Sequence, residues 1–67
     1  MKIHIDNRTN LSFKLIADVF ERWQESSYYE TNYVGRLDVL SFSCGKRNFE
    51  MQILIRKTCT LVVVVEQ

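Results

Sequence analysis

An α+β fold is predicted, a four-stranded sheet with one helix packed on one face. Three observations predict it. Residues 1–6, 36–44 and 49–57 alternate apolar and polar side chains, the period of a half-buried strand. Residues 11–25 repeat apolar positions at three and four, the period of an amphipathic helix. The chain then ends on Leu61-Val62-Val63-Val64-Val65, a run with no polar alternation at all.

The first strand sets Ile3 and Ile5 against Lys2, His4 and Asp6. Asn7-Arg8-Thr9-Asn10 is polar and turn-like, and Thr9 or Asn10 is the expected helix cap, accepting a bond from a free backbone N–H. The helix carries Leu15, Ile16, Val19, Phe20 and Trp23 on one stripe, with Ser12 at its start. Lys14, Asp18, Glu21, Arg22 and Glu25 fall mostly on the other side, and Asp18 and Arg22 form a favourable i,i+4 pair.

Residues 26–35 have no clear period and hold Tyr28, Tyr29 and Tyr33. The second strand, 36–44, places Leu40, Phe42 and Cys44 on one face and Leu37, Val39, Ser41 and Ser43 on the other. A four-residue hairpin loop, 45–48, sets Cys44 opposite Phe49, because Gly and Asn tolerate positive φ. The third strand, 49–57, buries Phe49, Met51, Ile53 and Ile55 and turns Glu50, Gln52, Leu54 and Arg56 outward. A tight turn near Thr58 and Cys59 leads into the last strand, 61–66.

The order is therefore β-α-β-β-β in one small domain, residues 1–67. The last three strands form an antiparallel meander. The first strand and the helix make a crossover, expected to be right-handed. A strand apolar on both faces belongs inside the sheet. The strand order is thus 2-3-4-1, with the second strand as a free edge poorly defended against a partner strand.

The closing run also implies a covered outer face. A three-residue turn at 57–59 would make a lateral row, Val39–Leu54–Val62, extended by Leu37 and Val64. A turn of two or four residues would turn Leu61, Val63 and Val65 outward instead. The first parity keeps Glu66 in water and is the expected one. Either parity leaves an apolar patch facing away from the helix. A symmetric homodimer, sheet face to sheet face, is the first expectation for what covers it, and a heterologous partner the second.

Composition narrows the function. The chain has 67 residues, 46% of them apolar, two glycines and no proline. A domain this short buries only about 60% of its unfolded surface and gains from oligomerisation. A net charge of +1 gives no general pull on nucleic acid or anionic lipid. No run approaches the length of a membrane span. No apolar segment of signal-peptide type follows Met1-Lys2-Ile3-His4, so a reducing cytoplasm is the expected compartment. Asn7-Arg8-Thr9 and Asn10-Leu11-Ser12 match the glycosylation pattern, which carries no meaning there.

No catalytic set is evident, and neither cofactor nor metal is expected. His4 and Asp6 share a strand face, but no nucleophile is placed beside them. Cys44 and Cys59 are too few for zinc with a single histidine. They flank a strand of about nine residues, roughly 25–30 Å apart, beyond the reach of about 7 Å for a disulfide. Cys44 reads as a small core residue and Cys59 as a turn residue.

Ser43-Cys44-Gly45-Lys46-Arg47 lacks the first glycine and the hydroxyl residue of a phosphate loop. Lys46 and Arg47, or Arg56 and Lys57, could instead touch phosphate or an acidic protein. The pairs lie at opposite ends of one strand, so nucleic acid is the weaker alternative. Tyr28, Tyr29 and Tyr33, beside Glu25 and Glu30, favour a protein surface, since tyrosine gives large contact area at low entropy cost.

The start, strand then helix then strands, is similar to dodecins, but dodecins need a longer helix and a different strand count. In general character the chain resembles small stand-alone proteins of phages and mobile elements, anti-CRISPR proteins among them. That resemblance implies a non-enzymatic protein that modulates a larger host protein or complex. It transfers no residue roles.

Overall fold

A computed structural model describes residues 2–26 and 35–67. Its elements are β1 (Lys2–Asn7), α1 (Phe13–Ser26), β2 (Leu37–Cys44), β3 (Arg47–Ile55) and β4 (Cys59–Glu66). The four strands form one mixed sheet in the order β1-β4-β3-β2, as the sequence predicts. β1 runs parallel to β4, and the other neighbours are antiparallel.

The helix begins two residues later than its periodicity suggests, and its cap is Ser12 rather than Thr9 or Asn10. Ser12 Oγ accepts the Leu15 N–H at 3.2 Å, and the Ser12 carbonyl accepts the Ile16 N–H at 3.2 Å. The polar stretch ahead of it is used by Asn7. Its Oδ1 accepts the Thr9 N–H at 2.9 Å and its Nδ2 donates to the Leu11 carbonyl at 2.8 Å. Thr9 Oγ1 in turn accepts the Leu11 N–H. These short bonds hold the loop in a turn and so postpone the helix.

Of the predicted helix stripe, Ile16, Val19, Phe20 and Trp23 are buried and Leu15 is half-buried. The buried residues pack on Met51, Ile53, Ile55, Val62 and Val64, with Ile5, Leu11, Leu40 and Phe42 around the margin. β3 supplies the floor. Phe49, Met51 and Ile53 are fully buried, each worth about 1.5–3 kcal/mol relative to exposure.

Both hairpins are tighter than predicted. Cys44 pairs with Arg47, not Phe49, so Phe42 meets Phe49 and Leu40 meets Met51. The loop is Gly45 and Lys46 alone. Gly45 has φ +66° and Lys46 does not enter positive φ, the φ signature of a type II′ hairpin turn. The shift equals two residues, so each β2 side chain keeps its predicted face.

The second turn changes more. Ile55 pairs with Thr60, and Arg56 N–H donates to the Cys59 carbonyl at 2.9 Å, leaving Lys57 and Thr58 as the turn. This two-residue turn reverses the expected parity of β4. Val62 and Val64 lie in the core, and Leu61, Val63 and Val65 take the outer face, half-buried. Glu66 therefore shares the core face of the strand, at its exposed end.

Candidate functional site

The outer face of the sheet, opposite the helix, is built from alternate residues of all four strands. Register places Leu37 beside Leu54, Leu54 beside Leu61, and Leu61 beside His4. The expected row Val39–Leu54–Val62 is thus replaced by Leu37–Leu54–Leu61. Val39 and Val63 lie one row along, on either side of Gln52, and Val65 lies beyond, next to Glu50. Leu37 is 60% exposed and Val39 48%. The patch is therefore an apolar row across the strands near the Lys57–Thr58 turn, with arms along β2 and β4. Between the arms Gln52 Nε2 donates to Glu50 Oε2 at 2.9 Å, the polar part of an otherwise apolar face.

Of the predicted interface residues, Leu37, Val39 and Leu54 are on this face. Val62 and Val64 are not: at 1% and 0% exposure they belong to the core. Tyr28, Tyr29 and Tyr33 lie outside the described residues. Lys46 is exposed at the hairpin tip.

Arg47 has a structural employment that its place at a hairpin tip does not reveal. Its Nε donates to Glu66 Oε2 at 2.8 Å, and its Nη2 donates to the other carboxylate oxygen. Nη1 reaches Asn10 Oδ1 at 3.2 Å, and the guanidinium lies 5.2 Å from the centre of the buried Phe49 ring. One side chain thus joins β3, the end of β4 and the loop before α1. The hydrogen bonds from Arg47 hold the Glu66 carboxyl below the usual carboxylate range, and those to Glu66 raise the guanidinium above its ordinary value.

His4 and Asp6 share the outer face of β1, as predicted, and both are exposed. Asp6 Oδ2 accepts a bond from Arg8 Nε at 3.0 Å. Cys44 is exposed at the end of β2 rather than a core residue, because the two-residue hairpin brings it to the sheet's rim. Cys59 is half-buried, and both thiols are free. Among the described residues, no group of three or more His, Cys, Asp or Glu could hold a metal ion. No helix among them is long and apolar enough to cross a membrane.

Sequence reasoning also missed a second polar contact. Asp38 sits on the helix side of β2, opposite the buried Ile53, and its Oδ2 accepts the Trp23 indole N–H at 2.6 Å. Trp23, Arg36, Leu37, Asp38 and Ile55 enclose a small cavity of about 120 Å³ beside this bond. Comparison with protein-family models, curated proteins and solved structures finds no match.

Proposed function

We propose that this chain is a non-enzymatic protein-binding domain whose helix-free sheet face docks on a larger protein. The observation that carries this is the row Leu37–Leu54–Leu61, with Val39, Val63 and Val65 beside it, on a face that no element among the described residues covers. Contiguous apolar surface of this kind marks interaction sites.

Size favours a large partner over a second copy on this face. Four strands at about 4.8 Å and three rows at about 6.7 Å give a footprint of about 400 Å². A stable interface takes about 800 Å² per partner. A larger protein can meet the face and also grip its rim, where Lys46, Arg56 and Lys57 are exposed. A nucleic-acid reading has less support, since Arg47 is committed to Glu66 and the other basic residues of the two turns, Lys46 against Arg56 and Lys57, lie at opposite ends of β3. A domain that acts by covering another protein needs no reacting group of its own. That suits an accessory protein of a phage or mobile element that modulates a host protein.

The test is site-specific photo-crosslinking in the cells that make the protein. A benzophenone side chain at Leu61 is expected to give a covalent adduct heavier than two 8.0 kDa chains, and one at the exposed Lys14 of the helix is not. Absence of any adduct at Leu61, or an adduct of two chains only, would overturn the reading.

A further inference from the structure

β1 is a sheet edge, and its free side carries its own pattern. The Arg8 N–H donates to the Val64 carbonyl at 2.9 Å, in register with Asn7 opposite Val64. Backbone groups alternate sides along a paired strand, so Lys2, His4 and Asp6 turn their N–H and C=O toward β4. Ile3, Ile5 and Asn7 turn theirs to the open edge. The side chains of Ile3 and Ile5 point to the helix side. There they line an apolar groove of about 450 Å³ with Phe13, Ala17 and Phe20. Phe13 is 68% exposed and Ile3 46%, and both line this groove beside the buried Phe20. Open backbone groups beside an apolar groove make a template for one more strand.

The charges on the other side of β1 select that strand. The outer face reads Lys2, His4, Asp6, a cation and an anion placed evenly about His4. Arg8, just past the strand, already bonds Asp6 Oδ2 at 3.0 Å, so a second cation would meet the other carboxylate oxygen. Laid antiparallel on itself, the strand sets Lys2 opposite Asp6, His4 opposite His4 and Asp6 opposite Lys2. In the same register Ile3 meets Ile5, so the residues with open backbone groups face each other, as an antiparallel ladder requires. Other registers fail. A slip of one residue opposes the open groups of Ile3 to groups already bonded to β4. A slip of two either leaves Lys2 opposite His4 or sets Lys2 against Arg8.

We propose that β1 pairs with β1 of a second copy, antiparallel about a two-fold axis at His4, joining two sheets into one of eight strands. About four backbone hydrogen bonds link Ile3 and Ile5 of the two copies. Two Lys2–Asp6 pairs flank His4 on the outer face. A two-fold axis normal to the sheet keeps both helices on one side, so the two grooves merge into a trough that takes Ile3 and Phe13 of each copy out of water. This interface uses an edge and not the outer face, and it stands independently of the reading of that face.

Charge reversal with rescue tests it by sedimentation equilibrium. One six-residue edge buries less than the roughly 800 Å² per partner of a stable interface, so the unaltered protein is expected to be a weak dimer, populated at high protein concentration. Lys2→Glu and Asp6→Lys each oppose like charges twice and weaken the dimer about tenfold. The double variant K2E/D6K restores most of that loss. In a Cys44→Ser/Cys59→Ser background, His4→Cys is expected to form a disulfide-linked dimer under mild oxidation. Residues opposite one another at such a position bring their Cα atoms to about 4.5 Å, within disulfide range. Lys14→Cys on the helix serves as the control. An unaltered protein that stays monomeric at high concentration would overturn the proposal. So would a double variant no tighter than the single ones, or His4→Cys linking no faster than Lys14→Cys.

Discussion

Trp23 and Asp38 fasten the end of α1 to the edge strand β2 through one hydrogen bond, from the indole Nε1 to the carboxylate Oδ2 at 2.6 Å. The indole is 6% exposed, so without Asp38 its N–H would lose this acceptor in a mostly dry place. Removing one partner of such a bond costs about 1–3 kcal/mol. Asp38→Ala is expected to destabilise by that amount in urea unfolding. Asp38→Asn should lose less, because the amide oxygen still accepts. Trp23 is the only tryptophan in the chain, so its fluorescence reports both the unfolding and the altered site.

Arg47 and Glu66 make a pH-dependent clamp at the opposite end of the core. The folded-state pKa of Glu66 lies below its ordinary value of 4.5, chiefly through the hydrogen bonds from Arg47. The stabilisation is therefore full above about pH 4.5 and is lost as pH falls through the lowered value. Arg47 is shifted upward by the same contact, so it stays charged throughout this range and the loss on acidification follows Glu66 alone. Thermal melts should show stability falling on acidification below about pH 4.5. Glu66→Gln should flatten that decline and lower stability at neutral pH. An acid limb unchanged in Glu66→Gln would mean that the clamp contributes nothing.

Periodicity made most of this fold legible, and the two misread turn lengths had different consequences. In β2 and β3 polar residues mark one face, so a two-residue error in the hairpin left every side chain on its predicted side. Leu61 to Val65 has no such mark, and parity there depended on the length of one turn. Lys57 and Thr58 announce no turn type, and the position of Glu66 at the strand end misled, since a terminal carboxylate can stay wet on either face. Arg47 was misjudged in the opposite sense, and Asp38 was passed over. A charged residue in an alternating strand reads as solvated until a partner from a distant element is seen. For Arg47 that partner, Glu66, is 19 residues away, and for Asp38 it is Trp23, on another layer.

The parity of β4 can be checked with isosteric substitutions. Val→Thr keeps the shape but replaces a methyl with a hydroxyl, which in a core without a new partner costs about 1–3 kcal/mol. Val62→Thr is expected to lower stability by that amount, because Val62 is 1% exposed between α1 and β3. Val63→Thr, on the half-buried outer face, should change it by less than about 0.5 kcal/mol. Equal effects at the two positions, read from chemical denaturation, would contradict the register of β4 against β3.

The helix cap gives a similar contrast between neighbours. Ser12 Oγ accepts a first-turn N–H, whereas the side chains of Asn7 and Thr9 organise the preceding loop. Ser12→Ala should cost about 1 kcal/mol. Ser12→Asp should retain that stability, since the carboxylate can accept the same bond and suits the helix N-terminus.

Gly45 decides whether the first hairpin can close in two residues. At φ +66° a Cβ meets nothing within 4 Å, so any cost of a side chain there is backbone strain and not collision. For an ordinary L-residue such a sparsely populated backbone conformation costs roughly 1–3 kcal/mol. Asparagine tolerates it better because its short polar side chain bonds locally. Gly45→Ala is expected to lose about 1 kcal/mol or more in denaturant unfolding, and Gly45→Asn to lose less than Gly45→Ala. The same pair of variants tests the pairing of Cys44 with Arg47. A longer loop would relieve the strain and leave Gly45→Ala nearly neutral. The two-residue turn keeps the penalty in full, and it holds Arg47 at the first position of β3, where Glu66 can reach it.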